Sequence, residues 1–401
     1  MTGTAAEVLA RCAELGELSE EPDRLTRRFA TPAHVQAGEL VVGWMAQAGM
    51  ATRRDAIGNV IGRYGAGDRP VVLGSHFDTV PDAGSFDGPL GILAGIAVVE
   101  RLTAGGAQPS APVEVVAFAD EEGMRFGTAF LGSAAYAGLF EPAWLELVDR
   151  DGITLEDAIR AAGGKDPRAA IRVPTPELAA YVELHIEQGP VLEREGLPVG
   201  VVSAIVGHTR ANVAVRGEAG HAGTLPMDGR RDALAAAAEI VLAVERLGRE
   251  TEGLVATVGR VAVEPGAANV VPGSARLPLD VRHPADDVRE SALARLRREL
   301  EDVATKRTVE VDLSIAWERS AVELSSDLRG DLARAIAAQD HPVRELASGA
   351  GHDAAVLSRI CPAAMLFVRC AGGVSHDPRE SVDEDDVAVA LDVLEGAVRA
   401  M

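Results

Sequence analysis

Six of the nine histidines stand beside glycine, serine or a carboxylate rather than inside apolar runs; they are His76, His185, His208, His221, His352 and His376. Carboxylates occur in similar settings, at Asp87 and in the pair Glu121-Glu122. A set of three imidazoles and two carboxylates, His76, Asp87, Glu122, His185 and His376, suits a borderline divalent ion such as Zn²⁺ or Mn²⁺.

A carboxylate that bridges two such ions, about 3.5–4 Å apart, is the usual arrangement for two-metal hydrolysis. Glu121 would then be the base that takes a proton from water. Asp78 lies two residues after His76, on the same side of an extended segment, and could orient the imidazole through its far nitrogen. Each motif taken alone has another interpretation: a polar strand end for His76-Phe77-Asp78, a helix N-cap for Asp87, and a solvated loop for Glu121-Glu122.

Other catalytic schemes lack their residues. The sequence has no G-x-S-x-G motif for a serine nucleophile. Gly349 and Gly351 are not followed by Lys-Ser/Thr, which excludes a Walker phosphate loop. Cys12, Cys361 and Cys370 form no C-x-x-C pair and are too few for a disulfide framework, so they predict small core residues and a reducing compartment.

The candidate residues of the first half follow short apolar strands. A strand at Pro70–Leu73 leads to His76, and a strand at Val113–Ala119 ends in Asp120-Glu121-Glu122, with a helix predicted over Gly91–Leu102 between them. Nearly continuous apolar strands separated by helices predict a mostly parallel sheet with helices on both faces. In such sheets the chemistry gathers beyond the carboxyl ends of the strands.

Between residues 208 and 320 the pattern changes to β-α-β-β-α-β. The predicted elements are strands at Asn212–Val215, Leu254–Val263, Ala275–Val281 and Thr308–Trp317, and helices at Arg231–Leu247 and Pro284–Lys306. This order predicts a ferredoxin-like α+β unit. After Ser320 the first pattern returns, with a strand at Ala363–Val368 and a helix at Asp386–Val398. The sequence therefore predicts an α/β catalytic domain over 1–207 and 321–401, interrupted by a small domain over 208–320.

Length, charge and hydropathy exclude several classes of protein. The 401 residues carry a formal net charge of −22, which argues against binding to nucleic acid or to an anionic membrane. An apolar share of 47% with 25% charged residues is typical of a globular protein. The N-terminus predicts an amphipathic helix rather than a signal peptide, and no run of 18 apolar residues occurs, so we expect a cytoplasmic location.

The motifs taken together resemble the M20-type metallohydrolases, in particular the amidase branch that contains N-carbamoyl-L-amino-acid hydrolases and allantoate amidohydrolases. The resemblance covers nearly the whole chain in the family's order. It is carried by Gly74–Val80, Phe86–Gly91, Asp120–Gly127, His185–Pro190, Gly220–Thr224, Ser348–Ala354 and Ser375–Pro378.

This resemblance implies roles for the metal ligands. His76 and His185 would bind one ion, Glu122 and His376 the other, and Asp87 would bridge them. Glu121 matches the family's general base, and Asp78 matches a carboxylate that supports a ligand. The implied cofactor is two divalent metal ions, Mn²⁺ or Zn²⁺.

The resemblance also implies substrate contacts. Asn269 and Arg282, on the inserted domain, would grip a substrate carboxylate, as the fork of an arginine suits. Gln188 and His352 match pocket-lining positions. His221 matches a histidine that reaches the substrate of the partner subunit, so the inserted domain would act as a lid and hold a homodimer together.

Three segments favour allantoate as the small anionic ureido substrate, with ureidoglycine, ammonia and carbon dioxide as products. Asp82–Gly84, Thr128–Ala135 and Met365–Cys370 resemble the allantoate group, whereas Ser85 departs from the lysine or arginine of many relatives. The alternatives are an N-carbamoyl-L-amino-acid hydrolase, an M20 aminopeptidase or dipeptidase, and a non-catalytic binding protein on the same fold.

Overall fold

The structure is a computed structural model that describes residues 2–106 and 109–401. It divides into two compact units. The first comprises Met1–Ser203, Leu324–Leu346 and Ala350–Met401, and the second comprises Ala204–Glu323 with Ala347–Gly349. Each unit has its own cluster of buried apolar side chains. The roles predicted for the two parts, catalytic domain and lid, stay predictions.

The helices are α1 (Ala5–Gly16), α2 (Pro32–Gln47), α3 (Pro89–Ala104), α4 (Leu131–Tyr136), α5 (Leu155–Ala161), α6 (Val191–Glu195), α7 (Ala233–Glu250), α8 (Asp286–Arg307), α9 (Ser326–Ala337), α10 (Ala354–Leu357) and α11 (Glu384–Ala400). Short 3-10 helices cover Pro142–Glu146, Pro167–Arg172 and Ala371–Gly373. No described helix is both long and apolar enough to cross a membrane.

The strands are β1 (Ala51–Arg54), β2 (Val60–Tyr64), β3 (Val71–His76), β4 (Val113–Phe118), β5 (Ala180–Ile186), β6 (Val199–Ile205), β7 (Gly207–Arg216), β8 (Gly220–His221), β9 (Val255–Val258), β10 (Ala262–Glu264), β11 (Val270–Val271), β12 (Ser274–His283), β13 (Glu310–Arg319), β14 (Val322–Glu323), β15 (Glu345–Ser348) and β16 (Ala363–Val368).

The large sheet has the order β1-β2-β4-β3-β5-β16-β6-β14, and β15 also pairs with β6. Its centre, β4-β3-β5-β16, is parallel and every residue of these strands is buried. The pairs β1–β2, β2–β4, β16–β6 and β6–β14 are antiparallel. The prediction of a mostly parallel sheet is therefore wrong for the edges. β1 and β2 are joined by a short loop, which favours an antiparallel hairpin over a crossover.

The sheet of the second unit has the order β10-β12-β7-β13, with β9 also on β12, and its pairs are antiparallel. Alternate residues of β7 are buried beneath α7 and α8, as expected for a sheet with one covered face. The single strand predicted over Leu254–Val263 is wrong. β9 pairs with Leu279–Arg282 and β10 with Ser274–Arg276, so the chain must break its pairing between them.

The parallel centre brings the candidate residues of the first unit to one edge. β3 lies between β4 and β5 in a common direction, so their carboxyl ends meet. A mixed α/β architecture with a central sheet and helices is thus confirmed, and its strand ends are the positions where polar side chains converge.

Candidate metal centre

Asp87 lies at the centre of a cluster of buried polar side chains. Its Oδ1 is 3.4 Å from Nε2 of His76 and 3.2 Å from Nε2 of His185. Its Oδ2 is 3.3 Å from Nε2 of His376. One carboxylate therefore directs each of its oxygens at a different set of imidazoles.

Glu122 completes the second set. Its Oε1 is 3.5 Å from Nε2 of His376. The triads His76–Asp87–His185 and Asp87–Glu122–His376 each have their ligand atoms within 4.8 Å of one another. Glu121 joins a third such group with His76 and Glu122. The structure thus brings together the five predicted ligands and the predicted base.

Each ligand enters from a different element. His76 is the last residue of β3, His185 lies in β5, and Glu122 follows β4. Asp87 precedes α3, and the next residue is Gly88, with φ of 86°. A Cβ on Gly88 would lie 2.5 Å from the carbonyl oxygen of His76, so this close approach requires glycine.

Asp78 connects two of these strand ends. Its Oδ1 accepts the backbone N–H of Glu121 at 2.9 Å, and its Oδ2 accepts that of Glu122 at 3.2 Å. Nδ1 of His76 lies 3.1 Å from the carbonyl oxygen of Asp78 and 3.4 Å from its Oδ1. Asp78 therefore orients His76 and fixes the backbone of the two glutamates, as a carboxylate behind a metal ligand does.

The cluster concentrates ionisable groups away from water. Burial, together with the charge of Asp87, raises the pKa of Glu122 to about 7. Burial also raises the pKa of Glu121 well above its ordinary value, although His76 opposes the shift. A hydrogen bond to Asp87 raises the pKa of His376 to about 9 against its partial burial.

The pKa of Asp87 shifts downward, in contrast to the pKa values of the two glutamates and His376. Burial favours its neutral form, but hydrogen bonds to His185, His376 and His76 hold the pKa of the Asp87 carboxyl well below its ordinary value. The imidazoles thus act as cations around this carboxylate. A divalent ion would take over that role, because positive charge favours ionised carboxylates and neutral imidazoles. The donor set of clustered imidazole nitrogens and carboxylate oxygens, buried except at His376 and Glu122, fits such ions.

Gln188 and His352 lie against this cluster. Nε2 of Gln188 donates to Oδ2 of Asp87 at 2.7 Å, and the hydroxyl of Ser375 donates to the same oxygen at 2.8 Å. The rings of His352 and His185 pack edge to face with centroids 4.5 Å apart. Burial lowers the pKa of His352 well below its ordinary value, so it stays neutral beside His185.

The other predicted residues belong to the second unit. His221 in β8 pairs with Val270 of β11, so exposed His221 and Asn269 lie close together. The backbone N–H of Gly223 donates to Nδ1 of His221 at 3.1 Å, which leaves Nε2 to carry the proton in the neutral ring.

Arg282 is held by an acidic neighbour. Its Nε and Nη2 donate to Oδ1 and Oδ2 of Asp280 at 2.8 and 3.1 Å, and its Nη1 donates to the carbonyl of Gly349 at 2.7 Å. Asp280 also accepts a hydrogen bond from His208. The guanidinium is therefore fixed in one plane, and the remaining protons on its two Nη atoms are available to an anion.

Sequence reasoning missed the residues that anchor the strand ends. Buried Arg27 donates to the carbonyl of Phe77 at 2.7 Å, and Nε2 of buried His34 lies 2.6 Å from the carbonyl of Ala119. Glu380 accepts two backbone N–H groups next to Asp87. These contacts join residues distant in sequence, and no local motif marks them.

The fold and the cluster define a class of enzyme. The sequence profile of peptidase family M20/M25/M40 matches residues 72–400, and the chain belongs to this family. Hydrolases of this family use divalent metals. The predictions of an M20-type fold and of a metal-dependent hydrolase of non-peptide C–N bonds are thereby confirmed.

The chain is also similar to individual members of this family and to a solved structure. The chain is 40% identical to a "Probable allantoate deiminase" of Oryza sativa subsp. japonica, covering 96% of this chain and 86% of the relative. It is 42% identical to an N-carbamoyl-L-amino acid amidohydrolase of Geobacillus stearothermophilus, covering 96% and 95%. A crystal structure of a hydantoinase/carbamoylase-family amidase from Burkholderia multivorans superposes with a TM-score of 0.93 at 33% identity, covering 100% and 98% of the two chains.

Proposed function

We propose that the protein is a two-metal amidohydrolase that cleaves the ureido group of allantoate. The observation that carries the metal pair is the position of Asp87, whose Oδ1 faces His76 and His185 while Oδ2 faces His376. A carboxylate whose two oxygens face separate sets of donors is able to bridge two ions. His76 and His185 would hold one ion, Glu122 and His376 the other, and Mn²⁺ and Zn²⁺ both suit the donors.

When bound, the ions supply a water of lowered pKa and polarise the ureido carbonyl. Glu121 accepts the proton of the attacking water, since its carboxylate is buried next to Glu122 and His76. The same carboxyl then gives the proton to the leaving nitrogen. Asp78 holds the backbone of Glu121 and keeps the base in place.

In this proposal the second unit would supply the donors for the rest of the substrate. Arg282, fixed by Asp280, would bind the substrate carboxylate together with Asn269. His221, with Nε2 as the proton-bearing nitrogen, would donate to the oxyanion that develops on the ureido oxygen. We propose that this unit also serves as the lid and homodimerisation domain and that His221 acts across the dimer.

Allantoate is proposed as substrate because the segments Asp82–Gly84, Thr128–Ala135 and Met365–Cys370 resemble the allantoate group, and the rice relative named an allantoate deiminase is 40% identical to the chain. The second candidate is an N-carbamoyl-L-amino acid, since the Geobacillus relative of that name is 42% identical. Both compounds carry a ureido group and a carboxylate, so one metal centre serves either.

The test is a substrate panel on protein stripped of metal and reloaded with Mn²⁺ or Zn²⁺ alone. Allantoate should release ammonia, and several N-carbamoyl-L-amino acids and dipeptides provide the comparison. Glu121→Gln should bind metal as the wild type does and lose about 10²–10⁴-fold in kcat. Absence of ammonia from allantoate would exclude the proposed substrate, and full activity of the Glu121 variant would exclude the proposed base.

A further inference from the structure

We infer that Glu380 is a positioning residue for the metal pair. This inference rests on the proposed function. Glu380 joins the segment that carries Asp87 to the segment that carries His376. Its Oε1 accepts the backbone N–H of Phe86 at 2.8 Å and that of Asp87 at 3.0 Å. Its own backbone N–H donates to the carbonyl of Asp377, in the turn directly after His376.

The burial of Glu380 indicates that its contact with the Asp87 segment has a structural role. The Glu380 side chain is only 5% exposed, and its Oε2 has no hydrogen-bond partner among the described residues. A buried carboxylate with one unsatisfied oxygen is costly, so its retention calls for a compensating role. The two backbone hydrogen bonds to the residue that would bridge the ions provide such a role.

Gly84 shows how closely the two segments approach. A Cβ on Gly84 would lie 2.3 Å from Cβ of Glu380 and 2.6 Å from its Oε1. Gly84 is not among the glycines with positive φ, and the three atoms nearest to the added Cβ all belong to Glu380. The Glu380 side chain therefore occupies the space that a side chain at residue 84 would fill.

The consequence concerns geometry at Asp87. Its side chain must direct Oδ1 and Oδ2 at different imidazoles, and a backbone N–H without an acceptor would turn to find one. Loss of the Glu380 acceptor should therefore misplace Asp87 relative to His376, whose Nε2 is now 3.3 Å from Oδ2. Residues that orient metal ligands typically change metal affinity by about 10–100-fold when they are replaced.

The experiment measures Mn²⁺ and Zn²⁺ affinity by titration calorimetry on chelator-stripped full-length protein, with the urea midpoint of the metal-free protein as the measure of folding. Glu380→Ala should weaken binding of at least one ion by about 10-fold or more. Glu380→Gln keeps an acceptor at Oε1 and should stay within about threefold of the wild type, below the range typical for lost ligand support.

Gly84→Ala provides an independent perturbation of the same contact. It should weaken binding as Glu380→Ala does, because the added Cβ would displace the Glu380 side chain from this contact. The matched control is Glu100→Ala on α3. Glu100 is also a buried carboxylate that pairs with Arg11, and one of its oxygens has no hydrogen-bond partner within residues 2–106 and 109–401. Its removal should lower the urea midpoint without changing metal affinity.

The outcomes distinguish a failure of the positioning role from a failure of the proposed function. If the wild type binds divalent ions and both Glu380→Ala and Gly84→Ala bind them equally well, the positioning role is wrong and the proposed function stands. If Glu380→Gln loses as much affinity as Glu380→Ala, charge rather than the acceptor matters, and the positioning role is again wrong. If Glu380→Ala does not fold, Gly84→Ala decides alone. A wild type that binds no divalent ion would overturn the proposed metal centre itself.

Discussion

Replacing Asp78 by asparagine should weaken metal binding without a matching loss of folding stability. Asp78 accepts the backbone N–H groups of Glu121 and Glu122 with separate oxygens. Asparagine has one acceptor oxygen, so its amide nitrogen would face one of these N–H groups. An unsatisfied buried donor costs about 1–3 kcal/mol.

Two features of the structure set the magnitude. The His76 ring keeps one partner in the variant, because its Nδ1 also lies 3.1 Å from the main-chain carbonyl of residue 78. The effect on metal affinity should therefore fall at the lower end of the usual range, about 10-fold, or about 1.4 kcal/mol. In the metal-free protein part of the cost of the unsatisfied donor is offset, because burial, the charge of Asp78 and a hydrogen bond to Asp78 raise the pKa of neighbouring Asp120, and the variant removes that charge.

The matched control is Asp55→Asn. Oδ1 of Asp55 accepts three backbone N–H groups, from Ile57, Gly58 and Asn59, and Oδ2 accepts the amide of Asn59 at 2.6 Å. This carboxylate organises a turn outside the metal cluster. Its asparagine variant should lose about 1–3 kcal/mol of unfolding free energy and keep wild-type metal affinity.

The assay combines Mn²⁺ or Zn²⁺ titration with urea unfolding in chelator. Opposite responses are expected, with affinity lost at Asp78 and stability lost at Asp55. If both variants lose stability alike and both bind metal like the wild type, Asp78 is an ordinary turn carboxylate, and the argument that it supports His76 and the two glutamates is refuted.

The remaining predictions concern pH, substrate and assembly. Burial lowers the pKa of His34 to about 4 from 6.5, so stability from its neutral form is complete above pH 6.5 and is lost as the pH falls toward 4. Between pH 7.5 and 5.0 this group should cost about 2 kcal/mol in urea unfolding, and His34→Gln should flatten the curve by that amount; an unchanged slope would contradict it. Arg282→Lys should raise KM for the substrate about 10-fold or more with a smaller change in kcat, because a lysine lacks the guanidinium fork, and an unaltered KM would remove Arg282 from the substrate site. Leu242, 59% exposed on α7, is expected at the homodimer contact, so Leu242→Arg should halve the mass seen by light scattering; Val148→Arg, at a residue 55% exposed on the first unit, should leave it unchanged, and a monomeric wild type would disprove the assembly.

Much of the metal cluster could be predicted because its ligands follow apolar strands. His76 and Glu122 stand directly at or after β3 and β4, whose continuous apolar residues identify buried strands in the sequence. The strands at the edges of the sheet were harder to predict from the sequence. β1 is largely exposed and short, so its residues carry no pattern that fixes a partner or a direction.

The supporting residues could not be predicted, for a different reason. Arg27, His34 and Glu380 act on main-chain groups of Phe77, Ala119 and Asp87, and a main-chain group is the same at every position of a sequence. Only the folded chain shows which carbonyl or N–H lies within reach. Residue type therefore identifies the ligands, and tertiary contact identifies the residues that hold them.

The choice between allantoate and N-carbamoyl amino acids depends on residues other than the metal cluster. On the proposed function, both substrates would present a ureido group to Glu121 and a carboxylate to Arg282, so changes at either residue should affect them in parallel. Ser85 packs against the end of α1, since its Oγ is 2.7 Å from where a Cβ of Gly16 would stand. Discrimination must therefore come from side chains that contact the part of the substrate in which the two compounds differ, the second ureido group or the amino-acid side chain.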